Sequence, residues 1–513
     1  MATRHQIISK AYRDSVALMQ LSSALAKMPG IEQAAAVMAT RNNLDLLREG
    51  GLDPGNASAG PSDLLIVVQG EEAALTAALA EAQRRLSSQS AVAATHVEQA
   101  MSSRSIAMAL ELGPANLALI STPGEYAAAE ALKALNLGLN VMLFSDNVTV
   151  ADEVMLKRHA QANDLVVMGP DCGTAIINGV PLAFANVVAR GAIGCVAASG
   201  TGLQEVTALI DRLGQGISQA IGTGGHDLSV EVGGISMLKG LADLAADAAT
   251  RVIVLISKPP AAQIAERILS AARSCGKSVV VNFLGADHRA LTGGNVHGAR
   301  TLQDAARVAV ALAQGKSVQL EPGTPPLHGA LPKLSRSQRF VRGLYSGGTF
   351  CYEATLLLQE TLEDVWANTP VGRARKVDDL WHSRGHTLID LGDDVFTRGR
   401  PHPMIDHRLR NERIAREAAD PEVAVILLDV VLGFGSHPDP AAELVPAIEA
   451  ARQRAARDGR EIAFVGHICG THGDPQNLQQ QTARLSFAGM LLTESNAQAV
   501  RLAQTIVAPE GRA

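Results

Sequence analysis

Apolar positions along the chain follow two alternating patterns. Short unbroken apolar runs, such as DLLIVVQG, RVIVLIS and AVAVILLDVV, read as strands buried on both faces. Between them lie longer stretches with apolar residues three and four apart, such as EEAALTAALAEAQRRL and VADEVMLKRHAQAN, which read as helices. The first of these opens on acids and closes on bases, as the helix dipole prefers. Strand–helix alternation of this kind predicts an α/β fold built on parallel sheets covered by helices.

Residues 1–95 read as a small α/β domain, ferredoxin- or ACT-like in its order β-α-β-α-β-α, with GLDPGNASAGPSD as a loop and Ser87–Gln99 as a linker. Residues 100–190 alternate ANLALISTP, GEYAAAEALKALNLG, NVMLFS, VADEVMLKRHAQAN and DLVVMGPD, a Rossmann-like unit. No GxGxxG follows its first strand, so dinucleotide binding is not supported. From 191 one phrase is spoken twice. GAIGCVAASGTGLQEVTALIDRLG and RFVRGLYSGGTFCYEATLLLQETL each read strand, Ser-Gly turn, helix, with Ser199 and Ser346 147 residues apart. RVIVLIS and KSVVVNFLG in the first copy answer AVAVILLDVV and EIAFVGHICG in the second. The copies span 191–316 and 336–513, joined by the proline-rich linker 317–335.

A length of 513 residues suits several domains, at roughly 150 residues each. The net charge of −6 argues against a nucleic-acid partner. No apolar run reaches the length of a membrane span and the first residues lack a signal-peptide core, so no membrane partner is expected. Five scattered cysteines without CxxC spacing predict neither a disulfide framework nor a zinc site, and fit a reducing cytoplasm. The histidines lack metal-motif spacing, so no metal is expected.

The turns Ser199-Gly200-Thr201-Gly202 and Ser346-Gly347-Gly348-Thr349 sit where a strand ends and a helix begins. Helix N-terminal amides, small side chains and hydroxyls make an anion cradle. In a duplication, both helix ends would aim at one phosphate or carboxylate; the plainer reading is a pair of N-caps. Gly433, Gly435, Ser436 and His437 form a third such turn before the helix PAAELVPAIEAARQ, where a neutral imidazole would meet a phosphoryl or acyl oxygen. In GTGGHDLS, Gly225 lets the chain approach a ligand, His226 is a candidate base or phosphoryl carrier, and Asp227 is either a partner or a cap. Asp171 and Cys172 in GPDCGT, Asp393 in LIDLGDD, and Arg400 and His402 in the basic loop RGRPHPM are further cleft candidates. Cys351 and Cys469 read as packing residues.

With GPDCGT, CVAASGTG, IGTGGHD, VIVLIS and VVVNFLG in that order, residues 110–315 resemble the α subunit of succinyl-CoA synthetase. Residues 336–505 resemble the carboxy-terminal ligase domain of its β subunit, through LIDLGDD, AVILLDVVLGFGSH and the closing strand. The fused order, the amino-terminal unit, YSGGTFCYEA and GRPHPMID are similar to FdrA-like proteins. The resemblance implies a CoA-binding-type Rossmann domain and two flavodoxin-like ligase domains. It also implies transfer of a phosphoryl or acyl group over two facing helix N-termini, with Ser199–Gly202 and Gly433–His437 as phosphate turns. Where the α subunit carries its histidine, this chain reads GADHRALTGGNVHGARTL, so neither His288 nor His297 is assigned as carrier. The ATP-grasp domain and the Gly-rich CoA turn are missing. These departures favour a phosphate-dependent transferase subunit of oxamate-carbamoyltransferase type, converting oxalurate and phosphate to oxamate and carbamoyl phosphate in ureide catabolism. Such a chain would work with partner subunits, in a homodimer or hetero-oligomer, without a required cofactor. The alternatives are an NDP-forming acyl-CoA synthetase component that binds CoA, and a non-catalytic scaffold.

Overall fold

The computed structural model describes residues 2–508 except 12, 14, 56, 95–102, 318–331 and 399; most of the linker 317–335 and residues 95–99 of the linker at 87–99 lie outside them. The chain forms two compact units, one of Met1–Val148 with Asp393–Asp406 and one of Thr149–Gly392 with His407–Ala513.

In the first unit, β1 (Ala2–Ile8), α1 (Ser15–Ala26), β2 (Ile31–Met38), α2 (Arg41–Glu49), β3 (Leu64–Gly70) and α3 (Glu72–Ala94) follow the expected order. The sheet is antiparallel, β1-β3-β2. Its central strand, LLIVVQG, is buried on both faces. Leu64, Ile66 and Val68 pack with α1 and α3, while Leu65 and Val67 pack with Leu47 of α2 and Leu52. The helix α3 runs on to Ala94, because SSQSAVAA contains no Gly or Pro to stop it; the linker expected from Ser87 is helical that far. Next come α4 (Ile106–Leu112), β4 (Leu117–Ile120), α5 (Gly124–Asn136) and β5 (Asn140–Leu143), with β4 and β5 parallel.

The second unit opens with α6 (Val150–Ala162), β6 (Val167–Met168) and the hairpin β7 (Thr174–Ile177) and β8 (Val180–Ala183). The segment 100–190 is thus divided between the two units. Its later part joins the second because Lys157 of α6 is buried there against Thr223 and Asp227. The first copy is β9 (Arg190–Ala197), α7 (Gly200–Arg212), β10 (Ile217–Gly222), α8 (Ile235–Ala246), β11 (Val252–Ser257), α9 (Ala262–Ser274), β12 (Ser278–Phe283), α10 (His288–Leu291), β13 (Val296–Gly298) and α11 (Leu302–Ala313). The second is β14 (Phe340–Tyr345), α12 (Gly348–Leu358), β15 (Val365–Ala367), β16 (Arg375–Lys376), β17 (His386–Asp390), α13 (Asp394–Thr397), α14 (Arg408–Ala419), β18 (Val423–Val431), α15 (Pro440–Arg457), β19 (Ala463–Cys469), α16 (Leu478–Phe487), β20 (Met490–Thr493) and α17 (Asn496–Val507), of which α13 is counted in the first compact unit.

The two large sheets run β10-β9-β11-β12-β13 and β17-β14-β18-β19-β20, each extended at the β10 or β17 edge by two further strands. In order of appearance within each copy this is 2-1-3-4-5, the flavodoxin-like order. The repeat read in the sequence is therefore a repeat of topology. The extra strands differ: β7 joins β10 antiparallel, while β15 joins β17 parallel. Strands such as VAVILLDVV, with all nine residues buried, lie in the middle of a helix-covered sheet and have no wet face to alternate toward.

Candidate functional site

In the 2-1-3-4-5 order, crossovers on either side of β9, and of β14, leave a crevice beyond the strand's carboxyl end. The Ser-Gly turns stand at those two places. Ser199 is the N-cap of α7 and its Oγ accepts from Gly202 N at 3.0 Å. A Cβ on Gly202 would lie 2.5 Å from that oxygen, so glycine is required there. Gly347 is the N-cap of α12. A Cβ there would lie 2.5 Å from the Phe350 ring and 3.1 Å from Thr201 of the other helix. This close approach lets the tips meet: Ser199 Oγ is 2.6 Å from Thr349 Oγ1, and Thr349 N donates to Thr201 Oγ1 at 3.4 Å.

The two tips are not equivalent. At Ser346, the main-chain amide and Oγ each donate to the Asp429 carboxylate at 2.8 Å, as does the amide of Gly347. Arg410, fully buried, adds Nη1 bonds to Asp429 O at 2.7 Å and Oδ1 at 3.1 Å. An internal anion thus occupies the Ser346–Gly347 cradle, correcting the expectation that both tips share one exogenous anion. The ladders explain the difference. Leu428 pairs with Leu344, two residues before Ser346, and Ile256 pairs with Ala197, two before Ser199. The residue matching Asp429 in the first copy is therefore Ser257, which carries no charge. The α7 tip lacks that carboxylate; Gly200 is exposed and Thr201 half-buried. Gly348 is pressed against Asp390, whose Oδ2 lies 2.6 Å from where a Cβ would stand.

In the third turn Gly433 and Gly435 take φ of +103° and +79°, where glycine is favoured. A Cβ on either would strike Ala185 O or the Phe184 ring within 2.7 Å. The loop is thus laid against residues 184–186, just ahead of the first copy, and Phe434 N donates to Ala185 O at 2.9 Å. The Ser436 hydroxyl is buried without a hydrogen-bond partner. His437 Nδ1 accepts from Asp439 N at 3.1 Å and its Nε2 is 3.9 Å from Glu443 Oε1. Its ring lies 5.4 Å from that of His407, whose Nδ1 is 2.7 Å from Arg410 Nη2. His437, His407, Arg410, Asp429 and Ser346 thus form one connected row. Sequence reasoning misses its middle. His407 reads only as one of several histidines without metal spacing, and Arg410 as one of several charges on the polar helix RLRNERIAREAA.

His226 is exposed, with Nδ1 3.7 Å from Glu153 Oε2, and Gly225 beside it is exposed. Asp227 is fully buried: its carboxylate accepts from Ser236 N and Met237 N at the start of α8 and pairs with Lys157 Nζ at 2.8 Å. It is a helix cap and ion-pair partner, the capping alternative, and its burial takes it out of the phosphate- and substrate-binding set. Lys157 also meets Glu153 at 2.7 Å and Thr223 O at 2.9 Å. The pair Glu153–Lys157 is visible in sequence only as the i, i+4 spacing of a solvated helix face.

Asp171 is exposed, but Cys172 is buried, and burial pushes its thiol up to about 12. That corrects Cys172 as a cleft residue: its sulfur packs where Gly222 comes closest. Cys351 and Cys469 are likewise buried, and burial holds both thiols well above their ordinary value. Asp393, Arg400 and His402 belong to the first compact unit. Asp393 caps α13 through Val395 N, His402 Nδ1 accepts from Met404 N, and Arg400 is exposed. Among the described residues no cluster of His, Cys, Asp and Glu is placed to hold a metal, and no helix is long and apolar enough to cross a membrane.

Three family models match: "CoA-ligase" over residues 344–506, "CoA binding domain" over 189–285, and "AllF, heavy metal-associated domain" over 1–103. The CoA-binding match thus falls on the first copy of the repeat. Residues 1–103 contain no cysteine, so they offer no thiolate to a soft metal. The chain is 42% identical over 511 residues to the uncharacterized protein YahF of Escherichia coli (strain K12), covering 99% of each. It is 32% identical over 117 residues to a succinate–CoA ligase α subunit of Aquifex aeolicus (strain VF5), covering 22% of this chain and 38% of that relative. PH0766 of Pyrococcus horikoshii OT3 aligns at 14% identity and TM-score 0.32, covering 76% of this chain and 83% of that one.

Proposed function

This chain belongs to the FdrA family of succinyl-CoA-synthetase-like proteins, and from that premise we propose that it is a subunit of a phosphate-dependent carbamoyl or acyl transferase. In the oxamate-carbamoyltransferase form, a phosphate oxygen attacks the carbamoyl carbon of oxalurate. The bond to the oxamate nitrogen breaks, and that nitrogen takes up a proton as carbamoyl phosphate forms. The chemistry needs an anion seat and donors for the oxyanion at the carbamoyl carbon. The observation that carries the reading is the α7 tip. There the Ser199 and Thr201 hydroxyls and the exposed Gly200 backbone face the second helix end without an internal carboxylate. His226 and His437 are the candidate proton carriers.

The test is thermal unfolding with phosphate, carbamoyl phosphate or oxamate, since a ligand bound only to the folded state raises Tm. A rise with phosphate and carbamoyl phosphate is expected, reduced in Ser199→Ala. No shift at saturation with any of the three overturns the reading.

The CoA-binding match favours a second reading, an acyl-CoA synthetase component acting with a separate nucleotide-using partner. The turn from β4 into α5, where the sequence resemblance places the CoA turn, lies outside the matched residues 189–285. A Cβ at Gly124 would lie 2.3 Å from Asp146 O and 2.6 Å from Asn147 O, so only glycine fits where the 146–147 backbone approaches that turn. Tight CoA binding by calorimetry would favour this reading over the first.

A further inference from the structure

Deeper along the two tip helices the copies exchange contacts. Glu205 and Glu353 each lie six residues past their N-caps, Ser199 and Gly347. Glu205 Oε1 accepts from Asn496 N at 3.2 Å, the first residue of α17 in the second copy. Glu353 Oε1 accepts from Leu302 N at 2.8 Å, the first residue of α11 in the first copy. Each acid therefore caps the last helix of the opposite copy. The local caps Ser495 and Thr301 serve amides further in, at Gln498 and Asp304. An anion beside a helix N-terminus also meets the positive end of the dipole.

The two caps share a centre. Glu353 Oε2 accepts from Asn496 Nδ2 at 2.8 Å, and the same group donates to Phe350 O at 3.0 Å. His467 Nε2 lies 3.5 Å from Glu205 Oε2, and its ring stands edge-on to Phe350 at 4.7 Å. Glu205, Glu353, His467 and Asn496 are all at most 2% exposed. Asp429 of β18 faces His467, Tyr345 of β14 faces Glu353, and Cys469 of β19 faces Glu205, Asp474 and Arg212 of α7.

We propose that Glu205 and Glu353 are positioning residues that fix the two helix tips against each other, with His467 set beside the Glu205 carboxylate. Six residues of helix is about 9 Å, so a shift of either cap carries to the Ser199–Thr349 contact. The proposal rests on the tips being the site; the cross-capping itself does not.

The test uses the full chain. Glu205→Gln and Glu353→Gln keep an acceptor for the capped amide and remove charge; Glu205→Ala and Glu353→Ala remove the cap. Amide hydrogen exchange over 199–203 and 347–352 is expected to rise at least tenfold in either Ala variant. In histidine-labelled protein the His467 signal, assigned by its loss in His467→Gln, should titrate at least one pH unit lower in Glu205→Gln. If the Ala variants do not fold, the His467 titration shift in Glu205→Gln decides. Exchange within twofold of the parent in a folded Ala variant, or an unmoved His467 midpoint in Glu205→Gln, overturns the proposal. Neither readout involves substrate, so failure of the transferase reading appears separately, as a missing phosphate effect on the parent's Tm.

Discussion

Ser199 Oγ stands 2.6 Å from Thr349 Oγ1 while also accepting from Gly202 N. One hydroxyl thus caps its own helix and ties it to the helix of the other copy. Ser199→Ala removes both interactions, and a loss of about 1–2 kcal/mol is expected. Thr349→Ala removes only the tie and should cost less. A double-mutant cycle from urea unfolding checks this. A coupling energy near zero would mean that the tips are held elsewhere.

Asp429 sits between the Ser346 turn and the buried Arg410 guanidinium. Asp429→Asn leaves Arg410 without its charge partner, and about 3–5 kcal/mol of stability should be lost. If the α12 tip is an anion seat filled from within, phosphate should recover part of that loss. The phosphate-induced rise in Tm is expected to be larger in the variant than in the parent. An equal rise would mean that Asp429 keeps no anion out.

Burial pushes the Glu353 carboxyl up to about 7, from an ordinary 4.5. Between those values the folded chain holds a proton that the unfolded chain has released, so stability falls as pH rises through that window. The limit for one such group is about 3 kcal/mol. His467 acts in the same direction: burial lowers its pKa, but the Glu205 and Asp429 carboxylates outweigh that and raise it. Its contribution is present below its ordinary value and is lost as pH climbs past the folded one. Asp247 and Asp439, held below the ordinary carboxylate range, titrate beneath this window. Chemical denaturation at pH 5 and pH 8 should show the parent weaker at pH 8, with a smaller difference in Glu353→Gln. An unchanged difference would place the titration elsewhere.

The repeat is legible because it is carried by local signals: a buried strand such as RVIVLIS, a small-residue turn and a helix recur in order. The meeting of the Ser199 and Ser346 turns follows from their matched places. What fills them does not. Asp429 in AVAVILLDVV looks like an interruption in an apolar run, and only the register beside β14 brings it under the Ser346 amides. Asp227, Lys157 and Arg410 are hidden for the same reason, since a charge on a helix or loop reads as solvated until the fold buries it. The β7–β8 hairpin escapes notice because its strands are only four residues each, too short for alternation to show.

Lys157 has no exposed surface and holds Glu153, Asp227 and Thr223 O at once. Replacing it with Met keeps much of the volume but leaves Glu153 buried without its cation, whereas Asp227 retains the two amides of α8. A loss of about 3–5 kcal/mol is expected for Lys157→Met. The loss should exceed that of Glu153→Gln, which keeps a carbonyl acceptor for the lysine. In the double variant the uncompensated charge is gone, so part of the loss should return, giving a coupling energy of about 1–3 kcal/mol in urea unfolding. Additive losses would mean that Glu153 finds another cation or water when Lys157 is removed.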